Sequence, residues 1–204
     1  MSCEFHSESY RGYKIRIEQD TDCDCPLNDN GATLCRIAHW HRRYLIGGDR
    51  GENIRNQGVA EWQSEHEGKG FIVLPLAMID HSGVSYWIGS KPSPSDSAGW
   101  DSGQVGFVWC TWQEARKLLG GPLKTLRERA IKAMTDEIKL YDWWQQGMCA
   151  GWIVGNEDDD HIESCWGYLP DLETGEFGYA ISEAKEAIDY IMDTPSLHEQ
   201  PGEH

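Results

Sequence analysis

The stretch LKTLRERAIKAMTDEIKLYDWWQQ, residues 123–146, holds the longest regular pattern in the chain. Leu123, Leu126, Ala130, Met134, Ile138, Tyr141 and Gln145 recur three or four residues apart, which predicts a long amphipathic helix from about Leu123 to Gln146 with its apolar stripe on a sheet. Just before it, Thr111-Trp112-Gln113-Glu114 has the spacing of a capping box. A short helix therefore opens at Thr111, runs to Leu119 and stops at Gly120-Gly121-Pro122. Toward the other end, Ala184, Ala187, Ile188, Ile191 and Met192 share one helical face and Glu183, Glu186 and Asp189 the other, so a last helix is expected from Ser182.

Between the helices the pattern is that of strands. Tyr13 to Ile17 alternates like a half-buried strand, and the acidic, Asn- and Gly-containing stretch Asp20 to Gly31 follows as a loop. Leu34 to Tyr44 is expected to return as a strand, and Gly47 to Gly70 is polar and Gly-rich. Phe71 to Ile79 is a continuous apolar run in which Pro75 argues for an edge position or a bulge. Val84 to Ile88, Val105 to Trp109, Gly151 to Gly155 and Ile162 to Tyr168 complete the set. The fold class expected is α+β: a mixed or antiparallel sheet with one long amphipathic helix and a C-terminal helix packed on it. With no internal repeat and no clear linker, residues 1–195 read as a single domain whose acidic portion spans 156–204, with 196–204 a disordered tail.

Composition bounds the function. The chain has 204 residues, is 39% hydrophobic and contains ten Trp, enough for a folded core despite a net charge of −16. From Asn156 to His204 there are fourteen Asp and Glu against one basic residue, Lys185. A field of one sign there repels nucleic acid and membranes and attracts basic surfaces. The longest apolar run is too short to span a bilayer and the first residues lack the apolar core of a signal peptide, so a cytoplasmic protein is expected. Seven cysteines without a dense even framework are expected to be mostly free thiols.

Four constellations could carry chemistry. Asp80, His81, Asp101, Ser102 and Gln104 fall at strand ends, where an Asp can orient an imidazole and a second carboxylate could complete an acid/base pair or a metal site. The alternative is that Asp80-His81-Ser82-Gly83 and Asp101-Ser102-Gly103 are turns. Cys23, Cys25, Cys35, His39 and His41 offer zinc-type ligands, although the Cys23-x-Cys25 gap is short for a tetrahedral site. Glu157, Asp158, Asp159, Asp160 and Glu163, extended by Glu173, Glu176, Glu183, Glu186, Asp189 and Asp193, could display carboxylates to a basic groove or serve only solubility. Arg116, Lys117, Lys124, Arg127, Arg129 and Lys132 lie among several Trp, but neighbouring acids dilute any nucleic-acid-binding patch. Neither a Gly-x-Ser-x-Gly elbow, nor a P-loop, nor a dinucleotide fingerprint is present.

Four motifs also occur in a set order: Trp40-His41-Arg42-Arg43-Tyr44 with Gly47 and Asp49, Leu74-Pro75-Leu76 leading to Asp80-His81-Ser82-Gly83, Trp100-Asp101-Ser102-Gly103-Gln104-Val105-Gly106, and Ser164-Cys165-Trp166-Gly167-Tyr168. Together with Tyr141-Asp142 and Gly147, the combination resembles a family of uncharacterised phage and mobile-element proteins over roughly Trp40 to Tyr168. The resemblance implies a phage accessory protein acting in the cytoplasm of a bacterial host, and brings no activity with it.

Three function classes follow. The first is an acidic inhibitor of a host nucleic-acid-handling defence system, of the anti-CRISPR or anti-restriction type, that occupies a basic nucleic-acid site as a DNA mimic. Its partner would be a host nucleic-acid-binding defence protein, with neither direct nucleic-acid binding nor membrane contact. The second is a metal-dependent hydrolase of a nucleotide or nucleic acid using Asp80, His81, Asp101 and Ser102. The third is a zinc-stabilised protein-binding module; otherwise no cofactor is expected.

Overall fold

A computed structural model describes residues 3–28, 32–68, 70–96 and 98–194. In chain order the elements are β1 (Glu4–Tyr10), β2 (Tyr13–Gln19), β3 (Arg36–His39), β4 (Gly51–Asn53), α1 (Val59–His66), β5 (Phe71–Asp80), β6 (Val84–Ile88), β7 (Ser102–Thr111), α2 (Trp112–Leu119), α3 (Leu126–Gln145), β8 (Ala150–Gly155), β9 (His161–Tyr168) and α4 (Gly178–Asp193). The class is α+β, with a four-stranded antiparallel sheet in the order β1-β2-β8-β9 and a five-stranded mixed sheet in the order β4-β3-β7-β5-β6. Only β4, parallel to β3, breaks the antiparallel pattern of the second sheet.

The chain divides into two compact units, one of residues 1–23 with 147–204 and the other of residues 24–146. Neither crossing carries a Pro/Gly/Ser-rich linker, which is why the sequence alone reads as one domain over 1–195. The tail expected at 196–204 lies outside the described residues.

In the unit of residues 24–146 the apolar stripe of the long helix falls where its spacing requires. Leu126, Ala130, Met134, Ile138 and Tyr141 are buried on α3 and pack with Ile37, Leu76, Met78, Tyr86, Val108 and Cys110 of the sheet. A 3-10 turn, Leu123–Thr125, precedes the α-helix proper. The opposite face of the same sheet buries Ala38, Phe107 and Trp109 with Ile54 and with Trp62 of α1. Trp62 stacks on Phe107 at 5.2 Å and Trp109 meets it edge-on at 6.1 Å. Sheet faces covered on both sides explain the unbroken apolar run of β5. Pro75 sits beside a register shift between Leu76 and Ala77, one residue beyond the end of the β6 ladder, so its missing N–H breaks no bond to that strand.

In the other unit, Ile15 and Ile17 of β2 and Ala150, Trp152 and Val154 of β8 face Phe177, Ala180, Ala184 and Ile188 of the C-terminal helix. Each sheet thus receives one amphipathic helix. Gly151 is required where it stands, because a Cβ there would lie 2.2 Å from the Trp166 ring. Cys23 and Cys149 form a disulfide across 126 residues of chain, while Cys3, Cys25, Cys35, Cys110 and Cys165 are free thiols.

Several expectations change in detail. The strand expected over Leu34 to Tyr44 is confined to Arg36–His39, because the chain turns immediately after Trp40. The last helix starts at Gly178, a turn earlier than Ser182, behind Phe177, which makes no side-chain cap. β1 and α1 are additions: β1 is a largely exposed edge strand, and α1 buries only Trp62, so neither has a strong apolar period. The capping box at Thr111 is present in full, with reciprocal bonds between Thr111 and Glu114.

Glu137 ties α3 to the start of β3, its two carboxylate oxygens accepting the backbone N–H groups of Leu34 (2.9 Å) and Cys35 (2.7 Å). Removing the acceptor leaves both donors unpaired against a buried strand. Glu137→Ala is expected to cost about 2–3 kcal/mol, read as a lowered midpoint in urea unfolding with an unchanged slope.

Candidate functional site

Three of the four ordered motifs converge at one end of the five-stranded sheet. β3 and β7 run antiparallel with His39 opposite Gly106, and β5 and β7 run antiparallel with Ile79 opposite Ser102. The end of β3, the end of β5 and the start of β7 therefore share one edge, and the segments Trp40–Tyr44, Asp80–Gly83 and Trp100–Ser102 meet there. Gly106 permits this approach, since a Cβ on it would lie 2.5 Å from the Ala38 carbonyl oxygen. The bond from Trp40 N–H to the Val105 carbonyl and that from Asp80 N–H to the Asp101 carbonyl fix the loops to β7.

Within this cluster His81 Nδ1 lies 2.9 Å from Asp101 Oδ2. Asp80 accepts a bond from Arg43 at 2.8 Å and another from the Tyr44 hydroxyl at 3.1 Å. His41 stacks on Tyr44 at 4.9 Å, and its Nδ1 accepts from the Tyr44 N–H at 3.2 Å. Asp96 gathers the second loop by accepting from Ser102 Oγ and the N–H groups of Trp100 and Asp101. Slight desolvation raises the Asp96 pKa, but those hydrogen bonds outweigh it and hold the carboxyl below its ordinary value. Ser102 also accepts from Ser93 N–H, so its hydroxyl organises the loop. The turn reading accounts for much of this: Ser82 takes positive φ, and His81 N–H bonds the Gly83 carbonyl.

Chemically, the cluster supplies an imidazole–carboxylate dyad and a guanidinium–carboxylate pair on an open surface. The side chains of Arg43 and His81 are 73% and 69% exposed, and Trp100 is 87% exposed beside them. Asp80, His81 and Asp101 do not bring three ligand atoms together. Among the described residues the one group that does is Asp20, Cys23 and Cys149, whose two sulfurs are bonded to each other. The zinc-type set is dispersed in the same way. Cys23 is in that disulfide, in the unit of residues 1–23 and 147–204, while Cys25, Cys35, His39 and His41 belong to the other unit. Cys35 and His39 are fully buried, and burial pushes the Cys35 thiol well up, away from the thiolate a metal needs.

The acids named from sequence all lie in the unit of residues 1–23 and 147–204. Glu157, Asp158, Asp159 and Asp160 form the exposed turn between β8 and β9, Glu163 is exposed on β9, and Glu173 and Glu176 lie before α4. Glu183, Glu186, Asp189 and Asp193 are on α4, with Glu183 and Asp189 half-buried. Asn156 locks the turn through bonds with Asp160. Of the basic residues near Trp, Arg129 donates to the Leu119, Gly120 and Pro122 carbonyls and Lys132 pairs with Asp136.

No family model matches the chain, and no curated protein and no solved structure is significantly similar to it.

Sequence reading missed Asp96, whose role shows only once the loop is closed, and it named no partner for Arg43, which meets Asp80. Burial lowers the pKa of His39 below its ordinary value, and burial with Arg43 lowers that of His41 against a small opposing pull from Asp80. Both imidazoles therefore take up a proton less readily in the fold than in the unfolded chain, whose histidines take up protons below about pH 6.5. Their stabilisation is complete above that pH and is lost as pH falls. We expect the thermal midpoint to drop from pH 7.5 to pH 5.5, and His39→Gln to flatten that slope; an equal slope in the variant would remove His39 from the account.

Proposed function

We propose that the unit of residues 1–23 and 147–204 is an acidic decoy surface that binds a basic nucleic-acid site on a host defence protein and occludes it. The observation that carries the reading is how the charge divides. This unit holds nineteen Asp and Glu against four Lys and Arg, an excess of fifteen negative charges, whereas residues 24–146 hold fifteen against fourteen. Nearly all of the net −16 is thus confined to 81 residues.

The four bases of the acidic unit are all engaged within it. Arg11 pairs with Asp189, Lys14 with Asp159, Arg16 with Asp159 and Glu18, and Lys185 with Glu8. Exposed pairs of this kind add little stability. Their effect here is to leave an outward field made by carboxylates, among them the exposed Glu157, Asp158, Glu163, Glu173 and Glu186. Such a field steers association with a basic groove and disfavours nucleic acid itself. That the protein is phage-encoded and acts in the bacterial cytoplasm rests on the motif resemblance. No helix among the described residues is long and apolar enough to cross a membrane.

The hydrolase reading has the His81–Asp101 dyad in its favour, but Asp80 is committed to Arg43 and Tyr44 and the cluster lies open to solvent. The zinc-module reading lacks an assembled ligand set.

The test is affinity capture from bacterial lysate with the tagged full chain. A nucleic-acid-binding protein is expected at low salt and is released near 0.5 M salt, where the Debye length falls to roughly 4 Å. The triple reversal Glu157→Lys, Asp158→Lys and Glu163→Lys touches none of the internal ion pairs above and should cut capture by about ten-fold or more. Equal capture by the reversed protein sinks the proposal.

A further inference from the structure

The β2–β8 ladder continues one step past its last pair. Beyond Gln19 opposite Ala150, the Asp20 N–H donates to the Cys149 carbonyl at 2.8 Å, and the Gln19 side chain holds the approach through the Gly147 carbonyl. Asp20 then turns the chain, its Oδ1 accepting the Asp22 N–H at 2.9 Å, and Cys23 returns to meet Cys149. A carboxylate oxygen of Asp20 and the two sulfurs lie within 4.8 Å of one another, the one such set of metal-ligating atoms among the described residues. All three residues belong to the unit of residues 1–23 and 147–204. Of the zinc-type set named from sequence, Cys23 alone takes part.

A disulfide needs no carboxylate beside it, and Asp20 gives the pair a second chemistry. Two electrons and two protons from a dithiol or phosphine turn the bond into two thiols. Each thiol then yields its proton to solvent as it ligates, and two thiolates with a carboxylate form a donor set for zinc, with Zn–S near 2.3 Å and Zn–O about 2.0–2.2 Å. Around a tetrahedral ion the sulfurs stand about 3.7 Å apart. The Cα atoms, at 6.3 Å, are toward the wide end of the disulfide range, so side-chain rotation supplies that separation. The ion needs no cavity prepared for it, because it takes the place of the bond. Cys149 is buried but Asp20 and Cys23 are half-buried, so the ion enters from their side and water completes its fourth position. The surrounding unit, with fifteen excess negative charges, favours a cation further.

We infer that Asp20, Cys23 and Cys149 form a redox-gated zinc site: the oxidised chain carries the disulfide, and the reduced chain binds one Zn²⁺ at the same three residues. Either state ties together the same two ends of a 126-residue separation, so the closure of β2 on β8 survives in a reducing compartment, where disulfides are not maintained. The site stands apart from the decoy reading and is tested on the purified protein alone.

The experiment is anaerobic titration of the full chain with cobalt(II), a coloured stand-in for zinc, once with the disulfide intact and once after reduction with a phosphine that is then removed. Cys3, Cys25, Cys35, Cys110 and Cys165 are thiols in both forms, so the difference between the titrations belongs to the pair. The reduced chain should take up one equivalent with sulfur-to-cobalt absorption, surrendered to zinc but not to magnesium or calcium. The oxidised chain should bind about a hundred-fold more weakly or worse, because a disulfide offers no thiolate. Zinc should raise the unfolding midpoint of the reduced chain and leave that of the oxidised chain unchanged. Asp20→Asn keeps an oxygen for the Asp22 N–H and loses the charge, and should weaken binding about ten-fold. Cys23→Ser should abolish the sulfur absorption; its fold is checked by its unfolding midpoint, and the two wild-type titrations do not depend on it. The site is overturned if the reduced chain takes up no cobalt, if the oxidised chain binds equally, if Cys23→Ser keeps the full absorption, or if Asp20→Asn binds as tightly as the wild type.

Discussion

The charge distribution of this protein follows from one ladder of backbone hydrogen bonds. β2 pairs with β8 from Lys14 opposite Gly155 to Gln19 opposite Ala150, and so joins residues that are well over a hundred positions apart. Closing so long a loop costs entropy that grows only slowly with length, about 0.6 kcal/mol for each doubling. The ladder, the Ile15/Ile17 and Trp152/Val154 contacts with α4, and the Cys23–Cys149 bond all act on that one closure. By the chain-entropy account a cross-link over 126 residues is worth about 5 kcal/mol at most. Because of this pairing, the acids after Asn156 and those before Cys23 become a single unit, and a merely acidic C-terminal portion becomes an acidic fold.

The second unit shows the complementary logic. Its charge is nearly balanced, and its polar side chains serve to hold loops. Glu137 grips the start of β3, Asp96 closes the loop before β7, and Asp80 gathers Arg43 and Tyr44. One aromatic cluster lies on the α1 face of this sheet, where Trp62, Phe107, Trp109, His66 and Phe71 interlock. The exposed cluster at one end of the sheet follows from where β3 stops, because the segment Trp40–Tyr44 that leaves it meets the end of β5 and the start of β7.

How far the sequence can be read depends on whether a feature is local. The α3 stripe and the Thr111–Glu114 box are local patterns, and both are found where their spacing puts them. β1 escaped because an edge strand with little to bury has no apolar alternation, and the start of α4 escaped because Phe177 offers no capping side chain. Asp80, His81 and Asp101 were legible as turn residues with functional chemistry. Their convergence was not, since it depends on the registers of β3 and β5 against β7 and on the shift at Leu76. Seven cysteines admit many pairings, so Cys23 with Cys149 could not be chosen from spacing.

The claim that organises the rest is that the acidic unit is one fold assembled from both segments of chain. Native-state hydrogen exchange on the whole protein addresses it directly. The account predicts that the amides of Ile15 and Ile17 exchange slowly and with the same opening free energy as those of Trp152 and Val154, because they belong to one cooperative sheet. Rapid exchange over residues 13–19 beside protected amides over 150–155 would contradict it.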